Sequence, residues 1–554
     1  MKIKVSDLIV KYLERLGVEY IFGMPGAHIL PVYDSLYDSS IQSVLAKHEQ
    51  GAAFMAGGCA RASNKISACI TTAGPGATNL VTGIANAYAD KLPVIIITGE
   101  APTYIFGKGG LQESSGEGGS IDQDALFKGI TRYNKVVERT DYLENVLNQV
   151  SKILLSDNSG PVLLSFPYNV QKELIDESVL DAVITERRIT AIRNSALLIN
   201  DFREDFAQLL SQASKPVIIA GHGCIKADAQ HEVDLLSQQL NIPVTTSLKG
   251  KGVISEQSSR SLGSLGVTSY SQARNYIVEQ ADLLIFLGAG FNERTSYLWD
   301  KTLLGDKKII QIDTSPEQLE KVFKADLPIL GDIKQVITGL LDLLKTKHIE
   351  KKSYTKTHSI IPEDSDATMF NQRFSLIKKF FDELENHFSS DMMIFDDNII
   401  FAQNFFNVSN GNRYYSNSGI SSLGHAIPAA IGARFSINKP TLAVLGDGGF
   451  QMCCMELMTA VNYNIPLTVI MFNNATMGLI RKNQFQQYEK RFIDCDFINP
   501  DYKLLANSFG INYKKVNNSE DLDGLFENTD YNNAINLIEI IIDKDLFPTY
   551  TSRR

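Results

Sequence analysis

A carboxylate and a carboxamide stand at a spacing that points to metal–phosphate chemistry. Asp447 lies in Gly446-Asp447-Gly448-Gly449, and 24 residues separate this GDG from Asn473-Asn474. A carboxylate oxygen, the side-chain amide oxygen of Asn474 and the main-chain carbonyl of Thr476 make a hard donor set. Such a set suits Mg²⁺, which fills its remaining positions with phosphate oxygens and water. Gly448 and Gly449 leave backbone N–H groups bare at a helix start, where phosphate binds. An isolated GDG is usually just the capped turn of a βαβ unit, so the meaning of Asp447 depends on what positions it.

The positioning elements are legible around it. Residues 442–445 form a short apolar run with the pattern of a buried strand, and 467–472 form a second. Between them Glu456, Leu457, Met458, Ala460 and Val461 recur at helical spacing. Two parallel strands joined by a helix carry Asp447 and Asn474 to one carboxyl edge, where open α/β sheets bind ligands. Upstream, 5–16 predicts a helix, 20–22 a strand, and 67–71, 94–98 and 161–166 further buried strands. Strands are also predicted at 216–220, 282–287 and 308–313. Glu186-Arg187-Arg188 marks the start of a middle third, and the polar stretch 345–366 reads as a linker. The expectation is three doubly wound parallel-sheet α/β domains at 1–172, 190–344 and 369–554.

The bulk numbers agree with this organisation. A chain of 554 residues is too long for one core and fits about three domains. A formal net charge of -10, with no basic stripe, argues against a nucleic-acid partner. No apolar run approaches the ~20 residues that span a bilayer. The amphipathic start at 1–17 lacks the pattern of a signal peptide. Six cysteines show no metal-ligand spacing, and Cys453-Cys454 is expected to lie buried within one helix. A reducing, cytoplasmic setting is expected.

Further stretches carry a resemblance. FGMPGAHILPVYD (22–34), KHEQGAAFMAGGCAR (47–61), TTAGPGATNLVTGIANAYADKLPVIIITG (71–99), GPVLLSFP (160–167), SSLGHAIPAAIGA (421–433) and GDGGFQM (446–452) resemble the acetolactate synthase/pyruvate oxidase group of thiamine-diphosphate (ThDP) enzymes along essentially the full chain. The resemblance implies ThDP and Mg²⁺ as cofactors, with Asp447, Asn474 and Thr476 on the metal. It implies that Glu49 hydrogen-bonds the cofactor's pyrimidine and helps its 4′-amino group take the proton from the thiazolium C2, a task for a carboxyl of raised pKa. Leu423 would bend the cofactor and the Ser421 carbonyl would hold its amino group. Pro75, Asn79, Asn398, Gly446, Gly448, Gly449 and Met477 complete the implied cofactor contacts. The implied reaction decarboxylates pyruvate or a related 2-oxo acid and joins the two-carbon unit to a second carbonyl compound. Because Glu49 and the Asp447 motif of one site come from different chains in this family, a homodimer is implied at least, and a homotetramer is common.

Substrate-side residues are mixed. Gly26, Ala27, His28 and Gln112 are placed to touch substrate, with Leu479 and Asn483 across from them. His28 and Gln112, with Ala27, resemble benzaldehyde lyase, in which the matching His and Gln assist proton transfer. An acyloin lyase/ligase is therefore an alternative, and a non-catalytic regulatory homologue is a third. His48 reads as a helix-packing or diphosphate-side residue, and His425 fits either a structural or a site role. In the middle third, SLGV (264–267), GAGFNER (288–294) and QID (311–313) resemble the loops of flavin-binding synthases. FAD, ADP and an empty site all stay open there. Arg294 would hold the carboxylate of the acceptor, a bidentate task for a guanidinium; a surface ion pair with Glu293 is the other reading. Three features depart from a housekeeping synthase. Asn483 replaces a tryptophan, 114–120 lengthens a loop as a flexible stretch near the substrate entrance, and the C-terminal tail is short.

Overall fold

The computed structural model describes residues 1–185, 196–355, 369–388 and 390–550. The charged segment 186–188, linker positions 356–366 and residues 551–554 lie outside them. Three six-stranded sheets organise the chain, and every strand pair within them is parallel. The first runs Gln42–Leu45, Tyr20–Gly23, Ser67–Thr71, Val94–Glu100, Val162–Pro167, Tyr133–Val136 from edge to edge. Numbered along the chain, that order is 2-1-3-4-6-5. The third sheet runs Arg413–Ser416, Met393–Asp396, Thr441–Gly446, Leu467–Asn473, Ile535–Ile541, Asn512–Val516, and its order is the same. The first and last thirds thus share an architecture that no sequence repeat displays. The middle sheet differs: Ser261–Ser264, Val244–Thr246, Pro216–Ala220, Leu283–Leu287, Lys308–Asp313, Leu327–Leu330. Its order, 3-2-1-4-5-6, is that of dinucleotide-binding sheets.

Each sheet is covered on both faces, which is why its strands read as continuous apolar runs. Ile95 and Ile97 face a core built with helices Val5–Arg15 and Leu143–Leu154, whereas Val94 and Ile96 face the helix Glu49–Ser63 on the other side. Ala443 and Leu445 enter that second cluster from the third sheet. Helices Glu49–Ser63 and Ala426–Ser436 are therefore sandwiched between the first and third sheets. Their contact is backbone against backbone. A Cβ on Gly58 would lie 2.0 Å from the Ala429 carbonyl oxygen, and one on Gly432 would lie 1.9 Å from that of Met55.

Several expected boundaries shift. The strand expected at 94–98 continues to Glu100, and the helix Ile333–Thr346 runs two residues into the stretch read as linker. The helix expected around 456 is present as Leu457–Asn462, and it is preceded by a separate helix that starts at Asp447 itself. That earlier helix ends at Cys453, and the chain then tightens into a 3₁₀ turn over Cys454–Glu456. Cys453 is accordingly buried and Cys454 only partly so, which corrects the expectation of two buried thiols in one helix. All six cysteines are unpaired. Among the described residues no helix is long and apolar enough to cross a membrane.

Candidate active site

The strand Thr441–Gly446 pairs in parallel with Leu467–Asn473, with Gly446 opposite Phe472, so Asp447 and Asn474 leave the sheet side by side. The buried Asp447 carboxylate accepts from the backbone N–H of Gly448 (3.0 Å), Asn474 (3.2 Å) and Ala475 (2.6 Å). Ala475 adopts a left-handed conformation, which turns its N–H back toward the carboxylate. Asn499 completes the cradle: its Nδ2 donates to Asp447 Oδ2 and to Asn473 Oδ1, each at 2.8 Å. No spacing in the sequence marked Asn499; it arrives from a loop beyond the helix Gly478–Gln487. Burial pushes the Asp447 carboxyl above its ordinary range despite these donors. A buried carboxylate short of positive charge, beside an amide oxygen, fits a divalent cation.

These residues floor a cleft of about 340 Å³. Gly446, Gly448 and Gly449 line it with Asn474, Thr476, Met477 and Leu479. A Cβ on Gly448 would lie 2.7 Å from Met477 Sδ, so any larger residue there would push the Met477 side chain aside. Ser421, Leu423 and Asn398 form the opposite wall. Ser421 and Asn398 both hold positive φ (58° and 63°), an arrangement that concentrates at ligand sites. Asn398 Oδ1 is buried without a hydrogen-bond partner, an acceptor that a ligand donor would satisfy. The cleft, its bare backbone donors and this orphaned acceptor fit a metal-bound diphosphate cofactor.

Arg294 reaches this cleft from the middle third. From the C-terminal end, Leu546, Phe547 and Pro548 line the cleft as well. Asn483 does not line it; it sits half-buried on the same helix as Leu479. Asp397, another residue that no motif singled out, lines the wall and accepts from Gly424 N (2.6 Å), His425 N (3.3 Å) and Asn417 Nδ2 (3.1 Å). Burial lifts its carboxyl to about 7.

The remaining candidates gather elsewhere, on the carboxyl edge of the first sheet. Glu49 starts the helix Glu49–Ser63 and accepts from Asn79 Nδ2 at 2.9 Å. Asn79 follows the short helix Pro75–Thr78. His28 Nδ1 stands 3.3 Å from Gln112 Oε1, and Gln112 leans on the turn at Gly74. Gly26 lies close against Thr72, where a Cβ would sit 2.5 Å from the Thr72 Cβ, and Ala27 is exposed beside it. None of these residues lines the Asp447 cleft of the same chain. Instead, Glu456 stands at the foot of the Glu49 helix, accepting from the N–H groups of Lys47 and His48 (3.1 and 2.9 Å). That acid complements the positive helix end. Within one chain, Glu49 and Asp447 thus meet opposite ends of the segment 447–456.

The two other histidines resolve as structural. His48 is exposed and caps its helix, its Nδ1 accepting from Gln50 N (3.1 Å). His425 is buried edge-on against Phe54, and burial, with Arg61 adding to it, lowers its pKa to about 3. The loop expected to be flexible is extensively bonded. Glu113 accepts from Gly107 N, Gly110 N and Ser115 Oγ, while Ser114 N donates to the buried Glu100. In the middle third, Leu265, Gly266, Gly288, Gly290, Asn292 and Asp313 line one cleft of about 660 Å³. The three loops singled out there by sequence are thereby brought together, at the carboxyl edge of the dinucleotide-type sheet.

Comparison with known proteins decides the family. Models of the thiamine pyrophosphate enzyme N-terminal TPP binding domain, central domain and C-terminal TPP binding domain match residues 3–120, 203–340 and 398–540. A probable acetolactate synthase large subunit of Methanocaldococcus jannaschii is 33% identical to this chain, covering 98% of it and 92% of the relative. The chain belongs to the acetolactate synthase-like family of thiamine pyrophosphate enzymes. The acetolactate synthase large subunits of Cyanidium caldarium (32% identical, 94% and 89% covered) and Lactococcus lactis subsp. lactis (31% identical, 97% and 92% covered) are similarly related along nearly their whole lengths.

Proposed function

We propose that this member of the family is a ThDP- and Mg²⁺-dependent carboligase that decarboxylates pyruvate, or a close 2-oxo acid, and joins the two-carbon unit to the carbonyl of a second 2-oxo acid. The observation that carries this reading is the shared cleft of Asp447, Asn474, Leu423 and Arg294, a cation site, a cofactor wall and a carboxylate clamp within one cavity. The named relatives are acetolactate synthases, and neither the acyloin-lyase nor the regulatory alternative gains support from them.

Each residue takes a role from its contacts. Asp447, Asn474 Oδ1 and the Thr476 carbonyl hold Mg²⁺, with Asn499 fixing the carboxylate. The N–H groups of Gly448 and Gly449 hold the diphosphate, and Met477, Leu423, Ser421 and Asn398 support the rings. When bound, ThDP supplies the electron sink for the carbon that loses CO₂. Glu49, oriented by Asn79 beside Pro75, holds a proton at the far end of the cofactor. His28 and Gln112, with Gly26 and Ala27, face the substrate and hold a proton there. Arg294 grips the acceptor carboxylate, and Leu479 shapes the space around it, with Asn483 behind it on the same helix. Since Glu49 does not line the Asp447 cleft of its own chain, a second copy completes each site, making a dimer or larger homo-oligomer the working unit. Units near 1–172, 190–344 and 369–554 each carry one sheet, and the middle cleft has the position and size for FAD or ADP. Six unpaired cysteines fit a reducing, cytoplasmic compartment.

Purified protein with ThDP, Mg²⁺ and pyruvate releases CO₂ and yields acetolactate on this reading, and Glu49→Gln lowers kcat by about 10²–10⁴-fold while cofactor binding persists. Absence of CO₂ release from every 2-oxo acid tried overturns it.

A further inference from the structure

Where the three thirds converge, away from the catalytic cleft, lies a groove of about 600 Å³ whose inner end is strongly basic. Arg61 of the first third, His222, Gln230 and Lys249 of the middle third, and Arg413 and Tyr415 of the last line that inner end. Charge there does not balance. Arg61 Nη2 and Lys249 Nζ pair with the two oxygens of a single carboxylate, Asp90, so two cations share one anion. Arg413 has no ion-pair partner among the described residues. Of the acids on the outer rim, Glu19 pairs with Lys65 and Asp228 with Lys334, while Asp157 sits beside Lys226, whose Nζ donates to its carbonyl.

Two buried polar atoms at this end are also unsatisfied. The Arg61 side chain is only 6% exposed, and its Nη1 donates to the Ser416 carbonyl at 3.2 Å, yet its Nε has no partner. Gln230 Oε1 is buried and unpartnered as well, an acceptor that a ligand hydroxyl would satisfy. Gln230 opens the eleven-residue helix Gln230–Leu240, and Ala229 before it brings no capping side chain, so the positive end of that helix adds to the field. Asp90 meets only one edge of the Arg61 guanidinium, and a buried N–H left without an acceptor is costly, so the Nε edge has room for a further oxyanion.

We propose that this junction is a binding site for a phosphate-type dianion, distinct from the diphosphate cradle at Asp447 and from the cleft of the middle sheet. The middle cleft shares His222, Lys249 and Asp90 with this junction, but neither it nor the Asp447 cleft is lined by Arg61, Arg413 or Gln230. The anion bridges Arg61 and Arg413, whose planar forks suit phosphate oxygens. It neutralises the excess cation and, because the two arginines belong to different thirds of the chain, it ties the first and last thirds together. Gln230 orients a protonated phosphate oxygen or the hydroxyl of an attached group. The groove beyond the inner end has room for more than an inorganic ion, so the anion arrives either as free phosphate or as a phosphate monoester.

The test is calorimetric titration of the full-length protein, saturated beforehand with ThDP and Mg²⁺ so that the cofactor site is filled. Inorganic phosphate and glycerol 3-phosphate, a monoester without the adenine that the middle cleft would take, are titrated separately, with chloride at matched ionic strength as control. Saturable binding of either probe is expected, accompanied by a rise in Tm, and Arg413→Gln weakens it at least about tenfold (~1.4 kcal/mol) while ThDP binding is unchanged. Tighter binding of glycerol 3-phosphate assigns a monoester; equal binding assigns free phosphate. If Arg413→Gln fails to fold, Gln230→Glu serves instead, since a carboxylate at the orphaned oxygen repels the anion and abolishes binding. No saturable heat from either probe in the wild-type protein overturns the proposal. So does undiminished binding in a folded variant.

Discussion

Asn499 shows what separates a legible residue from an illegible one. Asp447 and Asn474 are readable because the period of a βαβ unit fixes where they leave the sheet. Asn499 holds the same carboxylate at 2.8 Å but arrives through an irregular loop, where local pattern carries no long-range information. Its role as a support for a metal-binding carboxylate predicts that Asn499→Ala weakens Mg²⁺-dependent ThDP binding about 10–100-fold, measured by quenching of intrinsic fluorescence at varied Mg²⁺. Glu100 makes a second prediction. Burial lifts its carboxyl to about 7, from an ordinary value near 4.5. The folded chain keeps the proton that the unfolded chain sheds, so the stabilising contribution is complete below about 4.5 and lost as pH rises to about 7. Glu100→Gln keeps the acceptor for Ala101 N and Ser114 N but removes this titration. Its Tm relative to wild type therefore climbs between pH 5 and 8 in thermal melts. A constant difference across that range contradicts the assignment.

Among elements, strand cores were well marked and their ends were not. The strands at 67–71, 216–220 and 308–313 appear where the apolar runs place them. The helix Asp447–Cys453 precedes the apolar periodicity that marks Leu457–Asn462, and its first turn, Asp447 and two glycines behind a Gly446 cap, carries no amphipathic signal. The crossing of Glu49–Ser63 with Ala426–Ser436 was invisible for another reason. Runs such as AGGCA and AAIGA are small-residue stretches whose partner cannot be named from either one alone. Their closeness is a requirement nonetheless, since Gly432→Ala drives a methyl into the Met55 carbonyl at 1.9 Å. Separating the helices loosens the core shared by two sheets. A loss of about 3 kcal/mol in denaturant unfolding is predicted, large for one methyl group. A neutral outcome there would show that the crossing yields easily.

At the scale of the molecule, the first and third sheets share one strand order although no repeat betrays it, since topology is set by packing that many sequences satisfy. On the proposed function each contributes half of a site on its carboxyl edge, and within one chain Glu49 does not line the Asp447 cleft. Glu49 and its partner Asn79 face one direction, the Asp447 cleft another, with Glu456 between them. The function proposed here rests on two copies bringing one chain's acid to the other chain's cation site. Co-expression of Glu49→Gln and Asp447→Asn chains, each inactive alone, tests this directly. Random pairing puts both lesions into one site of every mixed dimer and leaves its other site intact, so about a quarter of wild-type CO₂ release from pyruvate returns. Mixed preparations as inactive as the two parents would contradict a site shared between chains.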